Sequence, residues 1–176
     1  SFSVDMAIGA VDANTATEAV TTAYGYQMDL STSFTGEDTL SVAIDAGDGS
    51  TGNSLAELDL NDTGDGLTVD GITYSFPIGE KLTVLVGDTT DGSALYSTAC
   101  VYGGFTNTLD DCGNFTSAFT APDDSSALSA SYDIGNGFTA AIGYAGQGAS
   151  TAGLGTAAGT DFYGGQLTYT ADSYGA

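Results

Sequence analysis

Apolar residues recur at every second position through most of this chain. From Tyr24 the even positions read Tyr24, Tyr26, Met28, Leu30, Thr32 and Phe34, and the odd positions between them read Gly25, Gln27, Asp29, Ser31 and Ser33. A strand turns successive side chains to opposite faces, so this pattern predicts a strand with one apolar and one small-polar face. Leu40, Val42 and Ile44 repeat it against Thr39, Ser41, Ala43 and Asp45, and the stretch 35–38 between the two predicts a tight turn and hence a hairpin. The same period predicts strands near 2–9, 23–34, 39–46, 67–76, 81–88, 127–134, 138–146 and 162–171. Only 67–76 breaks phase: Leu67 and Val69 lie on one parity, Ile72, Tyr74 and Phe76 on the other, and a bulge at Asp70-Gly71 would restore it.

The connections have a pattern of their own. Short turns are expected at 35–38, 77–80 and 135–137, and the stretch 171–175 looks like a fourth. Between them fall long loops, at about 10–22, 47–66, 88–124 and 146–161. Alternating short and long connections describe an antiparallel up-and-down meander with its long loops at one end, the loop asymmetry of outer-membrane barrels. Aromatic residues near predicted strand ends (Phe2, Tyr24, Phe34, Phe76, Phe138, Tyr144, Tyr169) fit interfacial girdles. A soluble antiparallel β-protein would alternate too, but its solvent face normally mixes both charge signs. Here the polar face is Ser, Thr, Gly, Ala, Gln and Asp, which suits a water-filled lumen.

Composition narrows the function classes. In 176 residues there are 23 Asp+Glu, 1 Lys+Arg and no His, a formal net charge of −22. One basic residue, Lys81, cannot neutralise a run of phosphates, so no nucleic acid is expected as a partner. Without imidazole the usual general base and the usual zinc sites are gone, and nothing singles out a catalytic carboxylate pair, so no enzyme activity is expected. Disorder is disfavoured because 41% of residues are hydrophobic and only 14% charged. No apolar run reaches the ~18–20 residues of a membrane helix, which leaves a closed barrel as the way to span a bilayer.

Candidate functional residues follow from parity. Asp5, Asp29, Asp45 and Asp133 lie on the polar faces of their strands and, with Gln27 and Lys81, are expected to line a pore. A stripe of carboxylates gives a cation preference by its field, and no cofactor is needed for that. Cys100 and Cys112, in the long loop 88–124, are expected to form a disulfide that staples it. Asp59, Asn61, Thr63, Gly64 and Asp70 fall at positions 1, 3, 5, 6 and 12 of an EF-hand-like spacing, but position 12 lacks the bidentate Glu and the segment after it reads as a strand. An acidic, solvated outer loop is the favoured reading there, with Ca²⁺ as its alternative.

Several stretches resemble the cyanobacterial outer-membrane porins of the carbohydrate-selective porin superfamily, often labelled iron-uptake porins. They are 29–38 (DLSTSFTGED), 55–74 (LAELDLNDTGDGLTVDGITY), 81–88 (KLTVLVGD), 108–113 (TLDDCG) and 130–141 (ASYDIGNGFTAA). The resemblance implies a homotrimeric channel in the outer membrane that passes small solutes or inorganic ions. It also implies an N-terminal cell-wall-binding domain, a coiled-coil linker and further strands, none of which is in this sequence. Residues 1–176 are therefore expected to be the N-terminal part of a barrel: about eight strands of a ~16-stranded porin. Eight strands closing alone would crowd Asp5, Asp29, Asp45 and Asp133 into a filled interior, which is expensive for unpaired charges. The alternative from another class is a secreted, acidic, β-rich structural or adhesive protein that binds divalent cations.

Overall fold

A computed structural model describes residues 1–10, 19–49, 60–90, 92–97, 125–147, 153–157, 159–171 and 174–175, the last two by backbone alone. The described residues contain no helix. The strands are β1 (Phe2–Gly9), β2 (Thr21–Thr32), β3 (Thr39–Gly47), β4 (Thr68–Ile78), β5 (Leu82–Thr90), β6 (Ser125–Gly135), β7 (Phe138–Gly146), β8 (Asp161–Ala171) and β9 (Tyr174–Gly175). They hydrogen-bond in sequence order from β1 to β9, an up-and-down meander in one sheet. Eight strands of 8 to 12 residues match the eight expected from periodicity, and β9 pairs back onto β8 through Thr170 with Gly175 and Ala171 with Tyr174.

Two compact units emerge from the chain's own contacts. The first holds the described residues of Ser1–Leu30 and Val42–Asp70, the second those of Ser31–Ser41, Gly71–Val101 and Asp111–Ala176. In the first unit β1 and β2 are antiparallel from Phe2 with Met28 to Gly9 with Thr21. That register sets Ser3 opposite Gln27, Asp5 opposite Gly25 and Ala7 opposite Ala23 on one face, and Val4 opposite Tyr26 on the other. In the second unit β4 to β8 form continuous antiparallel ladders. One cross-strand row there reads Ser75, Leu85, Ser129, Gly143, Gly164, and the neighbouring row on the opposite face reads Tyr74, Val86, Leu128, Tyr144, Tyr163.

Burial falls on the small-residue face. Ser129 is 1% exposed and Ala145 is wholly buried, and Ala127, Ala141, Ser125 and Leu85 join them. The apolar face is the open one: Met6 is 80% exposed, Ile8 76%, Ile142 65% and Leu167 64%, with Phe2, Leu128, Tyr132, Phe138 and Tyr163 also exposed. This inverts the arrangement of a water-soluble β-protein, in which the apolar face of each strand is covered.

The β2–β3 connection, 33–38, is longer than the expected 35–38, and the other two described reversals are tighter than the pattern predicts. Pro77 and Ile78 stay in β4, paired with Thr83 and Leu82, so the reversal is made at 79–81 with Gly79 at φ +66°. Between β6 and β7 Gly135, Asn136 and Gly137 all take positive φ, and a side chain at Gly137 would strike Thr170 O. β4 spans Asp70-Gly71, its registered ladder with β5 begins at Ile72, and Val69 and Ile72, of opposite parity, are both exposed. Register shifts are resolved between Gly87 and Thr90 of β5, where Thr89 has φ +53°, and between Asp133 and Gly135 of β6.

Candidate functional site

In the first unit the segment 60–66 lies against the small-polar face of β2 at Gly25, while Ser3 and Asp5 of β1 stay exposed. Three glycines make the close approach possible. A Cβ on Gly25 would lie 3.1 Å from Asn61 N, one on Gly47 2.7 Å from the Asn61 carbonyl carbon, and one on Gly49 2.9 Å from the Leu60 carbonyl carbon. The segment is tied to the end of β3 by backbone bonds, from Gly49 N to Asn61 O (3.1 Å) and from Thr63 N and Asp65 N to Gly47 O (3.1 Å each). Side chains add to these: Asn61 Nδ2 donates to Tyr26 O (2.9 Å), Gly47 N to Thr63 Oγ1 (3.0 Å) and the Tyr24 hydroxyl to Asp65 Oδ1 (3.0 Å). Beside it, Ser3, Asp5, Gly25, Gln27, Leu60 and Asn61 bound a polar recess of about 200 Å³.

The expected pore-lining residues divide between the units. Asp5, Gln27, Asp29 and Asp45 belong to the first, Asp133 and Lys81 to the second. Asp5 is exposed on the wall of the recess. Asp29 is half-buried and accepts from Gln27 Nε2 (3.2 Å) and Ser1 Oγ (2.9 Å), and Asp45 accepts from the Thr68 hydroxyl. Asp133 sits at the β6–β7 reversal, where its carboxylate accepts from Gly135 N (2.8 Å) and its own N–H donates to Lys81 O (2.9 Å). Its charge is therefore at a turn, not midway along a strand. Lys81 is an exposed residue of the β4–β5 reversal.

The EF-hand-like spacing is distributed differently from a cation loop. Asn61 and Thr63 direct their side chains to main-chain groups, as above, and Asp70 lies within β4, whereas Asp59 lies outside the described residues. Among the described residues no three His, Cys, Asp or Glu side chains gather as a metal site. Cys100 and Cys112 also lie outside the described residues.

In the second unit a different segment covers the small-residue face. Ser129 Oγ, buried, donates to Gly92 O (2.6 Å), and the Gln166 amide pairs with both backbone groups of Ser97, accepting from its N–H and donating to its carbonyl at 2.8 Å each. Tyr96 and Phe162 pack against buried Ala145. The segment 92–97 thus lies on the face that carries Ser129, Ala145 and Gln166, while Leu128, Ile142 and Leu167 on the other face stay open.

Aromatic pairs mark both ends of β7 and β8. Phe138 and Tyr169 pack at 4.7 Å between ring centroids near the β6–β7 turn, and Tyr144 and Tyr163 at 5.1 Å near the other end. Phe34, Tyr74 and Phe76 form a third group, at 6.1 and 5.5 Å. Its neighbour is Asp38, a residue that periodicity marks only as part of a turn. Asp38 Oδ1 accepts from Ser33 Oγ (2.6 Å), Phe34 N (3.0 Å), Thr35 N (2.8 Å) and Thr35 Oγ1 (2.8 Å), and Oδ2 from the Tyr74 hydroxyl (2.7 Å). The Ser33 hydroxyl above all, then the Tyr74 hydroxyl and the Thr35 N–H, hold this carboxyl well below the usual carboxylate range, against a smaller opposing push from burial. The Asx and Ser/Thr composition of the turn is the signal that could have found it.

The class of protein defined so far is an all-β meander of long antiparallel strands with an open apolar face and a covered polar one. No family model matches the chain, and no curated protein or solved structure matches it either.

Proposed function

We propose that this chain supplies strands to a transmembrane β-barrel of the outer membrane, a porin that passes small solutes or inorganic ions by passive diffusion with a preference for cations. One observation carries the proposal: large apolar side chains of β1, β6, β7 and β8 are open, while the covered strand residues are mostly Ala, Ser and Gly, Leu85 excepted. Water would penalise such a face at about 25 cal/mol per Å² of apolar surface, whereas lipid would not. Strand length supports it, since 8 to 12 residues agrees with the ~9–11 needed to cross a bilayer at a tilt. So does the placing of the aromatic pairs. Phe138 and Tyr144 are six residues apart, about 20 Å along a strand, with Ala140 and Ile142 between them on the same face.

Under this proposal the small-polar face lines a water-filled lumen, and Asp5, Asp29, Asp45 and Asp133 are its fixed negative charge. The sequence resemblance adds the trimer. The apolar face also argues against the secreted structural alternative, because extended exposed apolar patches mark membrane or protein contacts.

The test is reversal potential in a planar bilayer under a KCl gradient, on the assembled barrel to which this chain supplies strands, unaltered and with the four aspartates changed to Asn. A cation preference that shrinks in the variant and fades between physiological salt and 1 M, as the screening length falls from about 8 to 3 Å, is the expected result. An unchanged preference in the variant would remove the aspartates as the filter, and a chain that dissolves in buffer without detergent would remove the porin.

A further inference from the structure

Parity places Ser129, Ala145 and Gln166 on the face that lines the lumen under the porin proposal, yet that wall is covered there. The cross-strand rows Ala127–Ala145–Phe162, Ser129–Gly143–Gly164 and Ser131–Ala141–Gln166 lie side by side on it. Segment 92–97 crosses all three strands over these rows. It starts on β6, where Ser129 Oγ donates to Gly92 O (2.6 Å), and ends on β8, where the Gln166 amide takes both backbone groups of Ser97 (2.8 Å each). Between these anchors Tyr96 packs with Phe162 against Ala145, and its N–H closes a turn onto Ser93 O (2.8 Å). Two strand spacings are about 10 Å, a span that this short stretch covers with its turn. Ser129 is the fifth of the 11 residues of β6 and Gln166 the sixth of the 11 of β8, so the crossing lies near the middle of the strands.

Covering a wall replaces its surface with that of the cover. Ser129 is 1% exposed and Ala145 wholly buried, so a passing solute does not meet them, while Ala94 and Ser97 of the segment are open. None of residues 92–97 carries a charge. We infer that Ala94 and Ser97 are the residues on which the second unit's part of the passage sorts solutes, and that they sort by size and not by charge. The inference rests on the porin proposal and separates two effects within it. The aspartates bias the sign of the ion through their field, and the crossing segment limits its bulk. The anchoring fits a fixed wall: a buried hydroxyl bond holds the main chain at Gly92 and a two-bond amide clamp holds it at Ser97. Gly143 and Gly164, beside Ser129 in the middle row, carry no side chain that would keep the segment away from the sheet.

A residue on the passage wall reacts with a water-borne reagent and changes the current, whereas a covered one does neither. The experiment treats the assembled barrel, with Ala94→Cys or Ser129→Cys in this chain, with a positively charged methanethiosulfonate reagent in planar bilayers. The unaltered barrel, which carries Cys100 and Cys112, gives the baseline. A thiol at 129 is close to the hydroxyl in size and remains a weak donor to Gly92 O. Ala94→Cys is expected to lose at least about half of its KCl current and to shift its reversal potential towards anions, and Ser129→Cys to stay at the baseline. Ala94→Trp, without reagent, is expected to exclude polyethylene glycols of about half the mass that the unaltered barrel admits, at an unchanged reversal potential. Modification of Ala94→Cys, verified by mass, with no change in current would put the segment outside the passage and overturn the inference. An Ala94→Cys that does not react would overturn it as well. Equal block in Ser129→Cys would make the strand face the wall, and a reversal potential that moves in Ala94→Trp would end sorting by size alone. Each of these outcomes leaves a conducting channel, and so the porin, standing, whereas a barrel that forms no channel removes both.

Discussion

Gly47→Ala isolates the packing of segment 60–66 on the strands. Gly47 is not in the left-handed region, so the added methyl meets a steric problem and no backbone one. Its Cβ would lie 2.7 Å from the Asn61 carbonyl carbon and 2.8 Å from Tyr24 O, against a comfortable separation of about 3.5–4 Å. The segment must retreat by roughly 1 Å. Four hydrogen bonds at 3.0–3.1 Å join Gly47 and Gly49 to Asn61, Thr63 and Asp65, and a retreat of that size takes them past bonding distance. At a net ~0.5–1.5 kcal/mol each, losing two or three is worth about 3 kcal/mol of local stability, near a 100-fold rise in opening. Hydrogen exchange on the detergent-solubilised chain reads this directly, because opening of a local unit sets the rate. Amides of 60–66 are expected to exchange about 100-fold faster, with a smaller effect on β2 around Tyr24, whose carbonyl the methyl also meets, and β1 nearly unaffected. Gly165→Ala, whose Cβ would meet nothing nearer than Ala141 O at 3.7 Å, is the control. Unchanged protection of Thr63 and Asp65 in Gly47→Ala would refute the placement of the segment.

Three further outcomes are expected. Ile142→Arg and Leu167→Arg, on the open apolar face, should each lower the free energy of folding into vesicles by about 2–4 kcal/mol if they meet lipid near the midplane; effects within ±0.5 kcal/mol in urea titrations would mean that water covers this face. Asp38 has a folded pKa below its unfolded one, so its stabilisation is complete above about pH 4 and is lost as pH falls towards the folded value; melting temperature measured from pH 5 to pH 2 should drop less steeply in Asp38→Asn, and parallel curves would exclude the carboxylate. Gln166→Leu removes both bonds to Ser97 and should expose the segment 92–97 to limited proteolysis, whereas an unchanged digestion pattern would show that Tyr96 and Gly92 hold it without the amide.

The meander was legible because its cause is local. A strand with one apolar face must alternate with period 2 whatever lies beyond it, so all eight long strands could be placed from spacing alone. Their ends could not. β6 begins at Ser125, two residues before the pattern does, because Ser125 and Ser126 show no apolar contrast and are held by pairing with Thr90 and Gly146. Pro77 reads as a turn residue and is kept in β4 by the ladder that continues to Ile78 and Leu82. The aspartates could be assigned to a face by parity, but not to their surroundings. Asp133 keeps its pairing with Thr139 near the end of β6 and turns its carboxylate to Gly135 N, and Asp38 gathers its donors from its own turn and from Tyr74, 36 residues away. The recess was beyond reach altogether: Gly25 and Asn61 are 36 positions apart, and only the folded chain sets one on the other. Alternation of residue type belongs to the sequence, since it depends on neighbours along the chain. Which small residues become slots for another segment depends on neighbours across the fold, and the tertiary structure alone decides that.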